Sequence, residues 1–338
     1  MGRENALRML RKREYGMKKR RSILCLLAAM CLVLAACGSG NGESEVRGLT
    51  IGTADSGGTM YPVGKAIAKV ITEDTTTGIS MNVNASTGSA MNVQALADGN
   101  IDLGLVTGDV AYEALHGLGG FAQPAKGLRV IGAVYTSTAN WMAPVSEGIY
   151  YVHELSGKSV VLGPEGSTSD ILGRKTLESV GVQSGETQLL NNSLGSGADL
   201  VAGGTVCAIQ GFAGIPIEGL VELANKRACR LLRFTKKELD DFLAENESYY
   251  RDVIPAGSYT GQIGAVPTIG VKCLLCVNET MSDETAYRLT ETLWNSREKL
   301  AEAHPSMEKM LEKDFVCQNL PIPLHPVAEK FYQEHKLL

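Results

Sequence analysis

The segment Gly52-Thr53-Ala54-Asp55-Ser56-Gly57-Gly58-Thr59-Met60-Tyr61 sets glycines and hydroxyls directly ahead of an apolar run. Such a loop can cradle a phosphate, raise a catalytic serine, or hold a small acid through backbone N–H groups. For phosphate, Gly52 and Gly57 supply the Gly-x4-Gly frame of a P-loop. Gly58, however, stands where the lysine belongs, and Asp55 would repel the ligand. For catalysis, Ser56 lacks a Gly-x-Ser-x-Gly elbow, and no partner motif flanks His116, His153, His304, His325 or His335. The histidines also lack metal-ligand spacing, and His325, within the proline-rich LPIPLHPVAEKFY, reads as part of an ordered surface segment. Cys273-Leu-Leu-Cys276 has redox spacing, but VKCLLCV reads as a buried strand, with no second pair to complete a site. No catalytic residue, metal or cofactor is expected.

The remaining chemistry is a neutral cradle. Glycine lets the backbone approach a ligand, and N–H groups at a helix N-terminus bind a carboxylate without a cationic side chain. Three further loops have the same form: Ala85–Asn92 (ASTGSAMN), Val106–Ala111 (VTGDVA) and Gly163–Asp170 (GPEGSTSD). Each follows a strand pattern and opens a helical one with Ser, Thr or Asp. All four could be simple caps and turns, but four at comparable places favour a shared cleft at the carboxyl ends of strands.

The elements that must position these loops alternate along the chain. Val63, Ile67, Val70 and Ile71 give helical spacing over Tyr61–Glu73, and ISMNVNA alternates with period two. Helices follow over 89–98, ending at Gly99, and over Asp109–His116, with strands at IDLGLV and LRVIGAVY. A second run holds strands at SVVLG, TQLLNN, VCAIQGF and CRLLRF. Its helices cover Ser169–Val180, Leu194–Ala202, Pro216–Asn225 and Lys236–Glu245. A long helix, Asp283–Ala303, with Ser282 as N-cap, closes the pattern. Repeated β-α-β units imply an α/β fold with a largely parallel sheet in two lobes, the chain crossing near Ala139–Pro144 and Pro255–Pro267.

Of 338 residues, the first 36 differ in kind. Lys18, Lys19, Arg20 and Arg21 precede an apolar run from Ile23 to Ala36, too short to span a bilayer comfortably, so 1–36 reads as a secretion signal, with Met17 a more natural start. Leu34-Ala35-Ala36-Cys37 resembles a lipoprotein lipobox, with Cys37 the lipidated residue, and 37–47 reads as a flexible tether. The remaining chain carries 23 basic and 35 acidic residues, a net of −12, which argues against a nucleic-acid partner. Its five cysteines, Cys207, Cys229, Cys273, Cys276 and Cys317, are an odd number, so at least one is a free thiol.

IGTADSGGTMYPVGKAIA, ASTGSAMNVQALADGNIDLGLVTGDVAYEA, LSGKSVVLGPEGS and IPAGSYTGQ…VPTIGV together resemble the TAXI family. These are the extracytoplasmic solute-binding subunits of tripartite ATP-independent periplasmic (TRAP) transporters. The resemblance covers Leu49 to Tyr332. It implies a two-lobed periplasmic-binding-protein-like (cluster II) fold that closes on its ligand in the cleft, with lobe 1 over 48–138 and 256–338 and lobe 2 over 139–255. It implies a small organic acid ligand such as glutamate, glutamine or a dicarboxylate, TRAP-type membrane permease subunits as partners, and a lipid-anchored, extracytoplasmic location. Carried over by motif, the ligand-binding residues are Gly57, Gly58, Thr59 and Tyr61, then Ser86, Gly88 and Ser89, then Thr107 and Asp109, then Ser167, Thr168 and Ser169. Asp109 stands equally well as a helix cap, and Gln210, after the strand VCAI, either faces the cleft or does not. Tyr135, Trp141 and Phe212 fit a core or hinge better than the cleft. The family's third loop often reads Gln-Ser-Asp where this chain has Thr107-Gly108-Asp109, and Met60 precedes Tyr61 where the family often has a second tyrosine. A binding protein serving a sensor or another class of transporter, and an enzyme, are the alternatives.

Overall fold

The structure, a computed structural model, describes residues 47–183 and 185–338. The signal segment, Cys37 and the tether as far as Val46 lie outside the described residues. Arg47, read as tether, is the first residue of β1 (Arg47–Gly52). There follow α1 (Met60–Glu73), β2 (Ile79–Asn84), α2 (Ser89–Ala97), β3 (Leu103–Thr107) and α3 (Gly108–His116). β1 lies between β2 and β3, parallel to both. The apolar stripe of α1 is buried as its spacing dictates: Val63, Ile67, Val70 and Ile71 all face the core.

A 17-residue strand, β4 (Leu128–Pro144), then leads into β5 (Ser159–Val161), α4 (Thr168–Ser179), β6 (Gln188–Leu190), α5 (Leu194–Ala202) and β7 (Ala208–Ala213). α6 (Glu218–Lys226), β8 (Cys229–Leu231), α7 (Lys236–Glu245), β9 (Tyr250–Ile254) and β10 (Val266–Asn278) follow. α8 (Asp283–Asn295), α9 (Arg297–Ala303), a 3-10 segment at Pro305–Leu311 and α10 (Pro326–Glu334) end the chain. The helix expected over Asp283–Ala303 is interrupted at Ser296, whose ψ of 9° leaves the helical region. Ser282 caps α8 as expected, its hydroxyl accepting from the Thr285 N–H. His325, expected on the surface, is buried and caps α10.

The strands run β2-β1-β3-β10-β4-β7-β5-β6, with β8 on β4 and β9 on β10. The expected parallel pairing holds at each end, where β-α-β units place β2, β1, β3 and β7, β5, β6. It fails in the middle, because β10 returns antiparallel to both β3 and β4, and β4 runs antiparallel to β7. The short apolar runs read as ordinary strands are in fact parts of two long crossing strands.

Those two strands also divide the interior. One buried apolar cluster draws on Leu49 to Tyr135 and again on Cys273 to Leu337. Two others draw on residues between Ala139 and Val271. The change falls at one place on both strands, since Ser137 pairs with Val271 and Tyr135 with Cys273. Cys273 and Cys276 are fully buried strand residues and all five cysteines are free. Burial pushes the Cys273 thiol up to about 12, so it carries no thiolate at neutral pH.

Candidate functional site

The strand–helix junctions meet where the two strands cross. A cavity of about 40 Å³ is lined by Asp55, Gly58, Thr59 and Met60 of the first loop, Thr87 and Gly88 of the second, and Pro164 and Ser167–Ser169 before and within α4. Tyr135, Leu194, Phe212 and Ala213 complete its floor and far side. No lysine or arginine lines it, so its donors are backbone N–H groups and hydroxyls. Gly88 has φ +122° and ψ −152°, a conformation open to glycine alone, and this turns the chain into α2 beside the cavity.

Several sequence-expected residues are placed here and several are not. Gly58, Thr59, Gly88, Ser167, Thr168 and Ser169 line the cavity. Ser167 caps α4 by accepting from the Asp170 N–H at 3.3 Å, and Ser169 Oγ accepts from the Phe212 N–H at 2.9 Å. Ser86 is turned inward, its Oγ donating to the Thr53 carbonyl at 2.7 Å. Ser89 Oγ accepts from the Thr107 N–H at 3.0 Å and lies 3.3 Å from Thr107 Oγ1, so these two hydroxyls join α2 to β3. Gly57, Tyr61, Asp109 and Gln210 are also outside the lining. Tyr61 is half-buried with the Lys65 ammonium 5.7 Å from its ring centre, while Met60, one residue earlier, takes the inward position.

The loops also bridge the apolar clusters. Thr59 Oγ1 donates to the Gly214 carbonyl at 2.6 Å, and Asp55 Oδ2 accepts from the Leu194 N–H at 3.2 Å, at the start of α5. Asp109 Oδ2 accepts from the Tyr249 hydroxyl, while its Oδ1 has no hydrogen-bond partner in the protein. Burial, and then the Asp109 charge, raise the Tyr249 phenol well above its ordinary range. Glu113, one turn along α3, is raised by burial first and by Asp109 second, against the lowering effect of Lys175. The residues that sequence reasoning missed are Asp55 and Leu194 as partners, Tyr249, and Gly214. The Ser193–Leu194 junction follows a strand and opens a helix like the other four, and could have been counted with them.

On the opposite face of β4 lies a second, larger cavity of about 390 Å³, lined by Thr136 and Thr138 among others. Tyr135 lines the first cavity and Thr136 the second, as the period-two alternation of a strand requires. The first cavity has room for on the order of three water molecules at 10–15 Å³ each. Any organic ligand there needs its walls to part.

The model of the NMT1-like family matches residues 51–335. This chain belongs to the NMT1-like family. Among solved structures, this NMT1-like chain is similar to one described as a periplasmic transporter, at 13% identity and TM-score 0.56, covering 87% of this chain and 94% of the other. It also matches a protein from Bordetella bronchiseptica RB50 at 15% identity and TM-score 0.49, covering 87% and 83%. A third match is the periplasmic aliphatic sulphonate binding protein SsuA from Escherichia coli, at 14% identity and TM-score 0.45, covering 85% and 78%. At such identities the likeness concerns fold, and the first match carries it: the NMT1-like chain has the α/β, periplasmic-binding-protein-like fold. Among the described residues no helix is long and apolar enough to cross a membrane, and no cluster of His, Cys, Asp and Glu could hold a metal ion.

Proposed function

We propose that this protein is a non-enzymatic extracytoplasmic solute-binding protein of a TRAP-type transporter of the TAXI family, lipid-anchored through Cys37. It takes a small organic acid such as glutamate, glutamine or a dicarboxylate into the cleft and delivers it to membrane permease subunits. The lobes expected as 48–138 with 256–338, and 139–255, are redrawn on β10: Tyr259, Val266, Ile269 and Val271 pack with the second lobe, so it runs over 139–271, and the lobes close by bending where β4 and β10 exchange one apolar cluster for another. The observation that carries this reading is the convergence of Thr59, Gly88 and Ser167–Ser169, from three strand–helix junctions, on one cavity without a cationic side chain. Helix N-termini supply the partial positive charge that an acid needs there, against the Asp55 carboxylate on the same lining, whose Oδ2 is already engaged by the Leu194 N–H. The bonds from Thr59, Asp55 and Asp109 to the opposite cluster are then the contacts of a closed state.

Thermal unfolding with L-glutamate, L-glutamine and 2-oxoglutarate tests the proposal. A ligand bound only by the native protein stabilises it by about 2.7 kcal/mol at a hundred times its dissociation constant. The expected result is a melting temperature that climbs with the logarithm of concentration for at least one compound. No shift with any of them would remove the ligand class, and turnover of the bound compound would replace the binding protein with an enzyme.

A further inference from the structure

Beside the cleft floor, β4 and β7 bury polar atoms that the fold leaves unsatisfied. Gln210 is fully buried, yet neither its Nε2 nor its Oε1 has a hydrogen-bond partner in the protein. Trp141 is 1% exposed and its Nε1 is likewise unpartnered. The two residues stand directly opposite each other in the β4–β7 ladder, so their side chains share a face with Cβ atoms roughly 5 Å apart. Phe212, two residues along β7 from Gln210 and on the same face, lines the cleft cavity. On the other side Gln210 meets α4, where a Cβ at Gly173 would lie 3.4 Å from Oε1, one helical turn beyond Ser169 at the cavity edge.

Buried polar groups in native proteins almost always find partners, and three such atoms on one facing pair, unpaired within the protein, call for a polar group from outside the fold. The surroundings decide its chemistry. Trp141 sits in an apolar cluster with Leu162, Leu172 and Phe212, and among the described residues the buried charged side chains are the carboxylates Asp109 and Asp170, with no buried lysine or arginine. A carboxylate placed there would lose its hydration without gaining a counter-charge, whereas an uncharged group that both donates and accepts would satisfy Gln210 and take the indole N–H. We infer that Trp141 and Gln210 form a deep subsite beneath Phe212 that receives the uncharged, hydrogen-bonding end of the ligand, a carboxamide rather than a second carboxylate. The inference rests on the binding reading above and narrows its ligand: one acidic end at the helix N-termini, one neutral polar end on this pair. Phe212 covers the subsite in the closed cleft and turns aside when the ligand enters.

The test uses the purified protein and its Gln210→Met and Trp141→Phe variants, titrated calorimetrically with L-glutamine, L-asparagine, L-glutamate and 2-oxoglutarate. Methionine keeps the volume of Gln210 while removing both polar ends, so its melting temperature should hold or rise. The unaltered protein should bind a carboxamide at least about tenfold more tightly than its carboxylate counterpart, and Gln210→Met should bring the two within about twofold. Trp141→Phe should erode the preference in part. Binding without that preference, or a preference untouched in Gln210→Met, overturns the subsite while the binding protein stands. No binding by any of the four compounds overturns the organic-acid reading and the subsite with it.

Discussion

Tyr249→Phe should weaken ligand binding about tenfold to a hundredfold while moving the melting temperature of the unliganded protein by only about 2 °C. The Tyr249 hydroxyl donates to Asp109 Oδ2, and both residues are buried, at 6% and 4% exposure. Asp109 Oδ1 has no other protein partner, so the phenylalanine variant leaves a buried carboxylate with no direct donor. A hydrogen bond to a charged group is worth about 1.5–3 kcal/mol, and every 1.4 kcal/mol is a tenfold change in affinity. The bond joins α3, in the first apolar cluster, to a tyrosine of the second. Opening the proposed cleft returns Asp109 to water and relieves the loss, so the cost falls on the closed, ligand-holding state alone. Calorimetric titration and a melting curve separate the two effects. Undiminished affinity would mean that this bond does not hold the cleft shut, and an equal fall in stability would make it an ordinary packing contact.

Gly214→Ala should destabilise the protein by about 3 kcal/mol, near the upper end of the usual cost of overpacking, and lower its melting temperature by roughly 5–10 °C. A Cβ there would lie 2.6 Å from Ser306 Cβ, 2.7 Å from Thr59 Cγ2 and 2.8 Å from Tyr135 Cδ2. Tyr135 is fully buried and Thr59 is tied to the Gly214 carbonyl itself, so neither can give way without breaking another contact. Gly195→Ala is the control: it sits in the first turn of α5 with no atom within 4 Å of the added Cβ, and alanine is the better helix former. It should leave stability unchanged or slightly higher. Equal behaviour of the two variants would contradict the close approach at Gly214.

The local signals in the sequence located most elements and the loops between them. Helical spacing placed α1, Ser282 marked the start of α8, and glycine with a hydroxyl marked three of the junctions beside the cavity, though not the one at Ser193–Leu194. What escaped depends on distance in the chain. Asp109 and Tyr249 are 140 residues apart, and Asp55 and Leu194 139, and no periodicity links such pairs. The antiparallel centre of the sheet escaped for a related reason: a buried strand reads as an apolar run whichever way its neighbour points. Tyr61 was misleading because a helix turns 100° per residue, so with Met60 facing the cavity its neighbour is carried round toward Lys65.

The most direct measurement is a crystal structure of the protein grown with whichever compound raises its melting temperature most. Ligand density is expected against Thr59, Gly88 and the first turn of α4, with the acidic end at the helix N-termini. Density confined to the 390 Å³ cavity on the other face of β4, with the cleft unaltered, would contradict it.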